Sequence, residues 1–139
     1  ARVGDKPLMP RCQIQEPDIV VVFDTLLPQE TIVSGLKKNG IILINSPDNG
    51  AGRERFGSLT PSVWFIDATK IALQNGLGGT GIPIINTVML GAMARLGLYS
   101  FESLQTVLKK KLPRAVKQNL AAAKDGYNSV EEQNIYETA

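Results

Sequence analysis

Ile19-Val20-Val21-Val22-Phe23 is an unbroken apolar run, mostly β-branched, and Ile41-Ile42-Leu43-Ile44 is a second run of the same kind. Apolar residues at consecutive positions predict strands that are covered on both faces, as in an α/β sheet. Between the runs, Pro28 is typical of the first turn of a helix, and Asn39-Gly40 predicts its left-handed end. Strand, helix and strand in this order predict a right-handed βαβ unit with parallel strands.

The rest of the chain continues the same alternation. Val63-Trp64-Phe65-Ile66 predicts a third strand, and Asp67 is placed to cap a helix that runs to about Asn75. Three more helices are predicted, over residues 83–95 with Gly97 beyond, from residue 100 or 101 to 111, and from residue 113 to about 124, where Asp125-Gly126 would end the helix. Residues 127–139 are predicted to form a tail. We therefore expect one domain over residues 1–139, a three-layer α/β/α fold with a largely parallel central sheet.

Composition excludes several classes of site. The 139 residues contain no histidine, which excludes Ser-His-Asp and Cys-His catalysis and histidine metal sites within them. The one cysteine, Cys12, excludes an internal disulfide, an iron–sulfur cluster and a cysteine-rich zinc site held by this chain alone. A net charge of +2 is too small to argue for nucleic acid, and no apolar stretch reaches the ~18 residues of a membrane span. We expect a cytoplasmic setting, because an unpaired thiol suits a reducing compartment.

A glycine-rich motif, Gly76-Leu-Gly78-Gly79-Thr-Gly81, stands directly before a predicted helix. Glycines let backbone N–H groups approach an anion, and the amino end of a helix favours negative charge, so a phosphate cradle is physically possible. However, the dinucleotide-binding fingerprint joins a strand to a helix, whereas this run joins two helices, and Pro83 removes one amide donor. The pattern favours a helix–helix turn whose glycines permit close packing.

A long polar stretch, residues 45–57, follows the second strand at the end where open α/β sheets place their ligands. Arg53 and Arg55 on this loop could clasp a carboxylate or a phosphate. The alternative is a solvated loop that orders against a partner chain. Asn45, Arg53 and Arg55 are therefore candidates for a loop that contacts a partner or an anion.

Two further patterns have a functional and a structural interpretation. Lys109-Lys110-Lys111 has no interleaved aromatic residues, which favours a solvated helix end over a nucleic-acid patch. The helix predicted over residues 82–96 is apolar around much of its circumference and carries the small residues Gly91, Ala92 and Ala94. Such a helix lies either deep in a core or at a subunit interface.

Pro83-Ile-Ile-Asn86-Thr87-Val-Met89-Leu-Gly91-Ala92 is the most specific of several stretches that together span nearly the whole chain. The others cover residues 1–7, 19–27, 76–82 and 119–127. These stretches resemble the gamma subunit of the 2-oxoacid:ferredoxin oxidoreductases, the pyruvate:ferredoxin oxidoreductase group. In that family the gamma domain normally begins with a further glycine-rich strand–helix unit. Residues 1–139 are therefore expected to be the carboxyl-terminal two thirds to three quarters of such a domain, as a fragment, a proteolytic product or one part of a split gene.

The resemblance implies a complex that oxidatively decarboxylates a 2-oxoacid, passes electrons to ferredoxin and yields acyl-CoA. It implies that this chain is non-catalytic and holds no cofactor. Thiamine diphosphate, Mg, the [4Fe–4S] clusters and coenzyme A belong to the assembled complex with alpha-, beta- and delta-type subunits, and ferredoxin is reached only indirectly. No nucleic acid or membrane partner is implied. The resemblance makes the helix over residues 82–96 the expected partner-facing surface. It makes Gly78, Gly79, Gly81, Asn86 and Thr87 the candidates for cofactor or interface contact.

Two other functions remain open from the residues. One is a stand-alone nucleotide- or coenzyme-A-binding module that uses the glycine-rich turn, and tight binding of coenzyme A to the isolated chain would distinguish it. The other is a scaffold that has no catalytic partners, which co-purification would distinguish.

Overall fold

The computed structural model describes residues 1–7, 12–47, 51–56, 58, 62–79 and 81–132, with the backbone alone at 51–53. Within these residues the elements are, in chain order, β1 (Ile19–Val22), α1 (Gln29–Val33), β2 (Ile41–Asn45), α2 (Ala51–Phe56), β3 (Ser62–Ile66), α3 (Ala68–Gln74), α4 (Asn86–Arg95), α5 (Phe101–Lys111), α6 (Val116–Ser129) and β4 (Glu131–Glu132). None of the helices in this part of the chain has the length and apolar content to cross a lipid bilayer.

The strands form one sheet in the order β1-β2-β3-β4. β1, β2 and β3 are parallel, with Ile19 beside Ile41 and Ile41 beside Ser62. β4 pairs with β3 in the antiparallel direction through Phe65 and Glu131. The prediction of an α/β fold with a largely parallel sheet is confirmed.

Helices cover both faces of the sheet because side chains alternate along each strand. On one face the strands contribute Val22, Ile42, Ile44, Val63 and Phe65, which pack with Ile32 of α1 and Phe56 of α2. On the other face Leu43 and Ile66 pack with apolar residues of α3, α4 and α6. The predicted three layers are therefore present. β1 lies at the edge of the described sheet, and of its four residues only Val22 is fully buried.

α4 and α6 are in close backbone contact. A Cβ added to Gly91 would lie 1.9 Å from the carbonyl oxygen of Ala123, and one added to Gly126 would lie 2.2 Å from that of Val88. Only glycine permits this contact. One face of α4 is consequently buried within the domain, which favours the core interpretation for its residues Thr87, Val88, Met89, Gly91, Ala92 and Ala94. That residues 82–96 contact a partner through exposed positions such as Ile82 and Ile84 stays a prediction. The helix also begins at Asn86, later than predicted.

Several predicted helix ends differ because contacts distant in sequence decide them. α1 ends at Val33, and Gly35, at φ +74°, takes the left-handed conformation that was predicted near Gly40. α6 runs through Gly126 because that glycine is required against α4. Residues 127–132, predicted as the start of a tail, instead complete α6 and form β4, whereas residues 133–139 lie outside the described residues. α2 was not predicted at all.

At three other helix ends the residues predicted to begin or end the helix are confirmed. The Asp67 carboxylate accepts a hydrogen bond from the Lys70 amide at 2.9 Å, which caps α3. The Ser100 hydroxyl accepts from the Ser103 amide at 3.1 Å, which caps α5. Gly97 follows α4 at φ +83°.

Candidate interaction site at the carboxyl edge of the sheet

Asn45 organises the carboxyl edge of the sheet from the end of β2. Its Nδ2 donates to the carbonyl of Phe23, just beyond β1, at 3.2 Å and to the hydroxyl of Thr69 in α3 at 3.4 Å. Its Oδ1 accepts from the amide of Ala68 at 3.0 Å. Because both ends of the amide are used within the chain, Asn45 ties the end of β1 to the first turn of α3.

The turn from residue 23 to 28, here called the β1–α1 turn, exposes apolar side chains. Leu26 is 84% exposed, and Phe23 and Leu27 are 44% and 42% exposed. The turn is nevertheless ordered by its own hydrogen bonds, since the Asp24 carboxylate accepts from the Leu26 amide at 2.9 Å. This is an Asx turn, in which the side chain replaces a backbone acceptor.

Arg55 of α2 fixes the same turn from outside. Its guanidinium donates to the carbonyl of Thr25 and, at 2.9 Å, to the carbonyl of Leu27. Gln29 at the start of α1 donates to the carbonyl of Arg55 at 2.5 Å. The guanidinium also lies 4.6 Å from the ring centroid of the buried Phe56. Arg55 was predicted to bind an anion or a partner, but its guanidinium donates to carbonyls of the same chain. The side chain of Arg53 lies outside the described residues.

A second group of exposed apolar side chains surrounds the connection between α3 and α4. Ile82 is 85% exposed, Ile84 is 53% exposed, and Leu73 of α3 is 54% exposed. The connection is held by a bridge between Gly78 and Pro83 and by a 2.7 Å hydrogen bond from the Ile84 amide to the Leu77 carbonyl. Leu73 and Thr69 are one helical turn apart, so α3 joins this group to the contact that Asn45 makes.

The glycine-rich segment is built as a chain reversal. The amides of Gly76, Leu77 and Gly81 donate to the carbonyls of Leu73, Ala72 and Gly79. Gly76 and Gly81 have φ of +70° and +124°, which favour glycine. These three amides are therefore not available to a phosphate, and the arrangement fits a helix–helix turn better than an anion cradle.

The other predicted contact residues divide by exposure. Thr87 is buried, and its hydroxyl donates to Oδ1 of Asn119 at 2.6 Å, so its side chain belongs to the α4–α6 contact. Asn86 and Gly79 are exposed, and no atom lies within 4 Å of a Cβ placed at Gly79. That Gly78, Gly79, Gly81 and Asn86 contact a ligand or a partner stays a prediction.

A polar cavity of about 460 Å³ adjoins the carboxyl edge. Asp67, Lys70 and Gln74 line it from the side of α3, and Asn128 and Ser129 line it from the end of α6. Sequence reasoning missed this cavity because it ended α6 at residue 124. It also missed the exposed leucines, although an apolar pair between Asp24 and Pro28 is a signal that was available.

The pKa values of Lys37 and Tyr99 are raised. The Asp18 carboxylate, 2.6 Å from Nζ of Lys37, raises the pKa of that ammonium group. Burial raises the pKa of Tyr99 to about 12, and the phenol donates to the carbonyl of Leu90 at 2.9 Å.

Comparison with known proteins agrees with this architecture. Residues 1–129 match the family model described as pyruvate ferredoxin/flavodoxin oxidoreductase. The chain is 40% identical over 132 residues to pyruvate synthase subunit PorC of Methanothermobacter marburgensis, covering 93% of this chain and 69% of that one. It is 37% identical over 131 residues to the pyruvate/ketoisovalerate oxidoreductases common subunit gamma of Thermococcus kodakarensis, covering 91% and 69%.

A solved structure shows the same fold. The crystal structure of pyruvate oxidoreductase subunit PORC from Thermotoga maritima superimposes with a TM-score of 0.73 at 35% identity, covering 86% of this chain and 67% of that chain. The chain therefore belongs to the pyruvate ferredoxin/flavodoxin oxidoreductase family, as a gamma subunit of a 2-oxoacid:ferredoxin oxidoreductase.

Proposed function

We propose that this chain is the non-catalytic assembly subunit of a coenzyme-A-dependent 2-oxoacid:ferredoxin oxidoreductase. The complex decarboxylates a 2-oxoacid oxidatively, passes the electrons to ferredoxin and releases acyl-CoA. The chain joins alpha-, beta- and delta-type subunits through the exposed apolar side chains of the carboxyl edge. An exposed free thiol, Cys12, supports a cytoplasmic setting.

The observation that carries this proposal is the β1–α1 turn. An isolated exposed leucine needs no explanation, but here Leu26 and Leu27 stand together on a turn that Arg55 and Asp24 hold in place. Ordering a turn in advance lowers the entropy cost of association, because little freedom remains to be lost on binding. A fixed turn that displays two leucines suits the centre of a protein–protein interface.

The residues themselves support placing the cofactors in the partners. A [4Fe–4S] cluster is usually held by four thiolates, and these 139 residues supply one. They supply no imidazole for proton transfer at neutral pH. Thiamine diphosphate, Mg and the clusters are accordingly assigned to the partner subunits, and coenzyme A to the space that they enclose with this chain.

The choice of 2-oxoacid is also assigned to the partners. The Thermococcus kodakarensis relative is named as the common gamma subunit of pyruvate and ketoisovalerate oxidoreductases. Its name places one gamma subunit in enzymes for two substrates. We extend this to the present chain, with pyruvate as the first substrate to test.

Co-expression with the partner subunits tests the proposal. Leu26→Asp should reduce the amount of this chain that co-purifies with its partners by at least about tenfold, because a buried carboxylate without a partner is costly. Val107→Asp is the matched control, because Val107 on α5 is 53% exposed and lies outside the edge. Equal assembly of the two variants, or pyruvate-dependent dye reduction by the isolated chain, contradicts the proposal. Tight coenzyme A binding by the isolated chain, lost in Gly79→Val, would favour a stand-alone coenzyme-binding module instead.

A further inference from the structure

One turn carries an unusual share of the positive charge of the chain. Residues 109–117, here called the basic turn, join the end of α5 to the start of α6 and contain five basic and no acidic residues: Lys109, Lys110, Lys111, Arg114 and Lys117. The whole chain has 15 basic and 13 acidic residues, so the remainder has ten against thirteen, a net charge of −3. The basic turn therefore has a net charge of +5, whereas the rest of the chain is slightly acidic.

The side chains that carry these charges are exposed. All five basic side chains are exposed, and none makes an ion pair or a hydrogen bond with any residue that the structure describes. The three lysines at the end of α5 suit the negative end of that helix dipole. Arg114 and Lys117, in contrast, flank the positive end of α6, where basic residues destabilise a helix. Stability of the fold does not account for these two positions.

The backbone of the basic turn is fixed in a strained conformation. Ala115 has φ of +53°, which is unfavourable for a residue with a Cβ. Its carbonyl accepts from both the amide and the side-chain Nδ2 of Asn119, at 3.0 and 2.9 Å. Asn119 is in turn bonded to the buried Thr87 of α4. Hydrogen bonds to the core therefore fix the backbone of the basic turn at Ala115, between Arg114 and Lys117.

The basic turn and the polar cavity lie at opposite ends of α6. The far end of α6 reaches the cavity beside Asp67, whereas the basic turn is at its start. Fourteen helical residues separate the two by about 20 Å. The basic turn is therefore distinct from this cavity, and its five basic side chains are exposed.

We propose that the basic turn docks the acidic face of the protein that accepts electrons from the complex, an inference that rests on the proposed function and that replaces the expectation of only indirect contact with ferredoxin. Clustered, unscreened charge of one sign accelerates the encounter of oppositely charged proteins and makes it depend on salt. A protein partner is favoured over single-stranded nucleic acid because no aromatic side chain within residues 109–117 could stack on a base.

The test uses the assembled complex with Arg114→Glu/Lys117→Glu. Glutamate suits the amino end of α6, so this variant should unfold at the same temperature as the parent or higher while docking worse. At low ionic strength, kcat/KM for ferredoxin should fall about tenfold through KM, and the difference should vanish near 0.5 M salt. The rate with a small viologen dye should not change. Lys38→Glu/Lys124→Glu, two exposed lysines elsewhere, makes the same change in net charge and should alter kcat/KM less than twofold.

The outcomes separate this inference from the proposed function. If the parent complex reduces the dye with pyruvate but the basic-turn variant keeps its kcat/KM for ferredoxin, or the control falls equally, the inference is refuted and the proposed function stands. If the parent complex shows no pyruvate-dependent dye reduction, the proposed function fails. Binding of RNA that the variant abolishes, with ferredoxin kinetics unchanged, also refutes the inference.

Discussion

Replacing Gly91 by alanine tests the close contact between α4 and α6, because local and tertiary effects have opposite signs. In the interior of an ordinary helix, Gly→Ala stabilises by about 1 kcal/mol. In this protein the new Cβ would lie 1.9 Å from the carbonyl oxygen of Ala123, whereas ordinary contacts begin near 3.4 Å. The two helices must then separate by about 1.5 Å, the difference between these distances.

The cost of this separation can be worked from the contacts that it disrupts. Overpacking of a core typically costs about 1–3 kcal/mol. Separation also stretches the buried 2.6 Å hydrogen bond between Thr87 and Asn119, and a buried polar group left unpaired costs a further ~1–3 kcal/mol. After the gain of ~1 kcal/mol in helix propensity, Gly91→Ala should lower the free energy of unfolding by about 1–5 kcal/mol.

Urea unfolding followed by the fluorescence of Trp64, the one tryptophan, measures this change. Gly79→Ala is the control, because no atom lies within 4 Å of the added Cβ and its φ is not positive. The control should stay within about 0.5 kcal/mol of the parent. If Gly91→Ala instead unfolds at higher urea than the parent, α4 and α6 do not pack as described.

Three further predictions concern single side chains. Arg55→Ala should speed hydrogen exchange at the Leu26 amide about tenfold or more, because two bonds to the β1–α1 turn are lost, whereas Arg114→Ala, which bonds to no described residue, should leave it unchanged. Ala115→Gly should raise the free energy of unfolding by ~0.5–1 kcal/mol by relieving φ +53°, and a lower urea midpoint would contradict the strain. The pKa of Tyr99 is about 12 in the folded chain against 10.0 ordinarily, so its neutral form favours folding. Stability should therefore decline as the pH rises from 10 to 12, and Tyr99→Phe should flatten that decline.

Signals confined to a few neighbouring residues predicted this fold well. The apolar runs gave three strands in the correct order, and Asp67 and Ser100 cap the helices that follow them. Gly126 shows where such signals fail. Asp125-Gly126 looks like a helix end, but Gly126 lies against the backbone of Val88, 38 positions earlier, and only the packed structure reveals that requirement.

The candidate site was predicted less well, because its side chains act across long sequence separations. Asn45 and Arg55 were identified as contact residues from their loop, yet their partners are Phe23, Ala68 and Thr25 of the same chain. No local sequence pattern predicts that the Arg55 guanidinium donates to the carbonyl of Thr25, 30 positions earlier in the chain. The small residues of α4 show the same limit, since they fit a core contact as well as a subunit contact, and Gly91 lies against the backbone of α6.

The brevity and charge of β4 bear on how the sheet meets other chains. As far as the structure describes the chain, β4 has two residues, both glutamate, and the Glu132 carboxylate accepts a 3.0 Å hydrogen bond from the Ser62 hydroxyl. A strand of another chain has almost no backbone of β4 to pair with. The two carboxylates of β4 also repel the corresponding carboxylates of a second copy of the chain. Edge-to-edge pairing with another chain is thereby discouraged at the β4 edge, whereas β1 is the other edge strand of the described sheet.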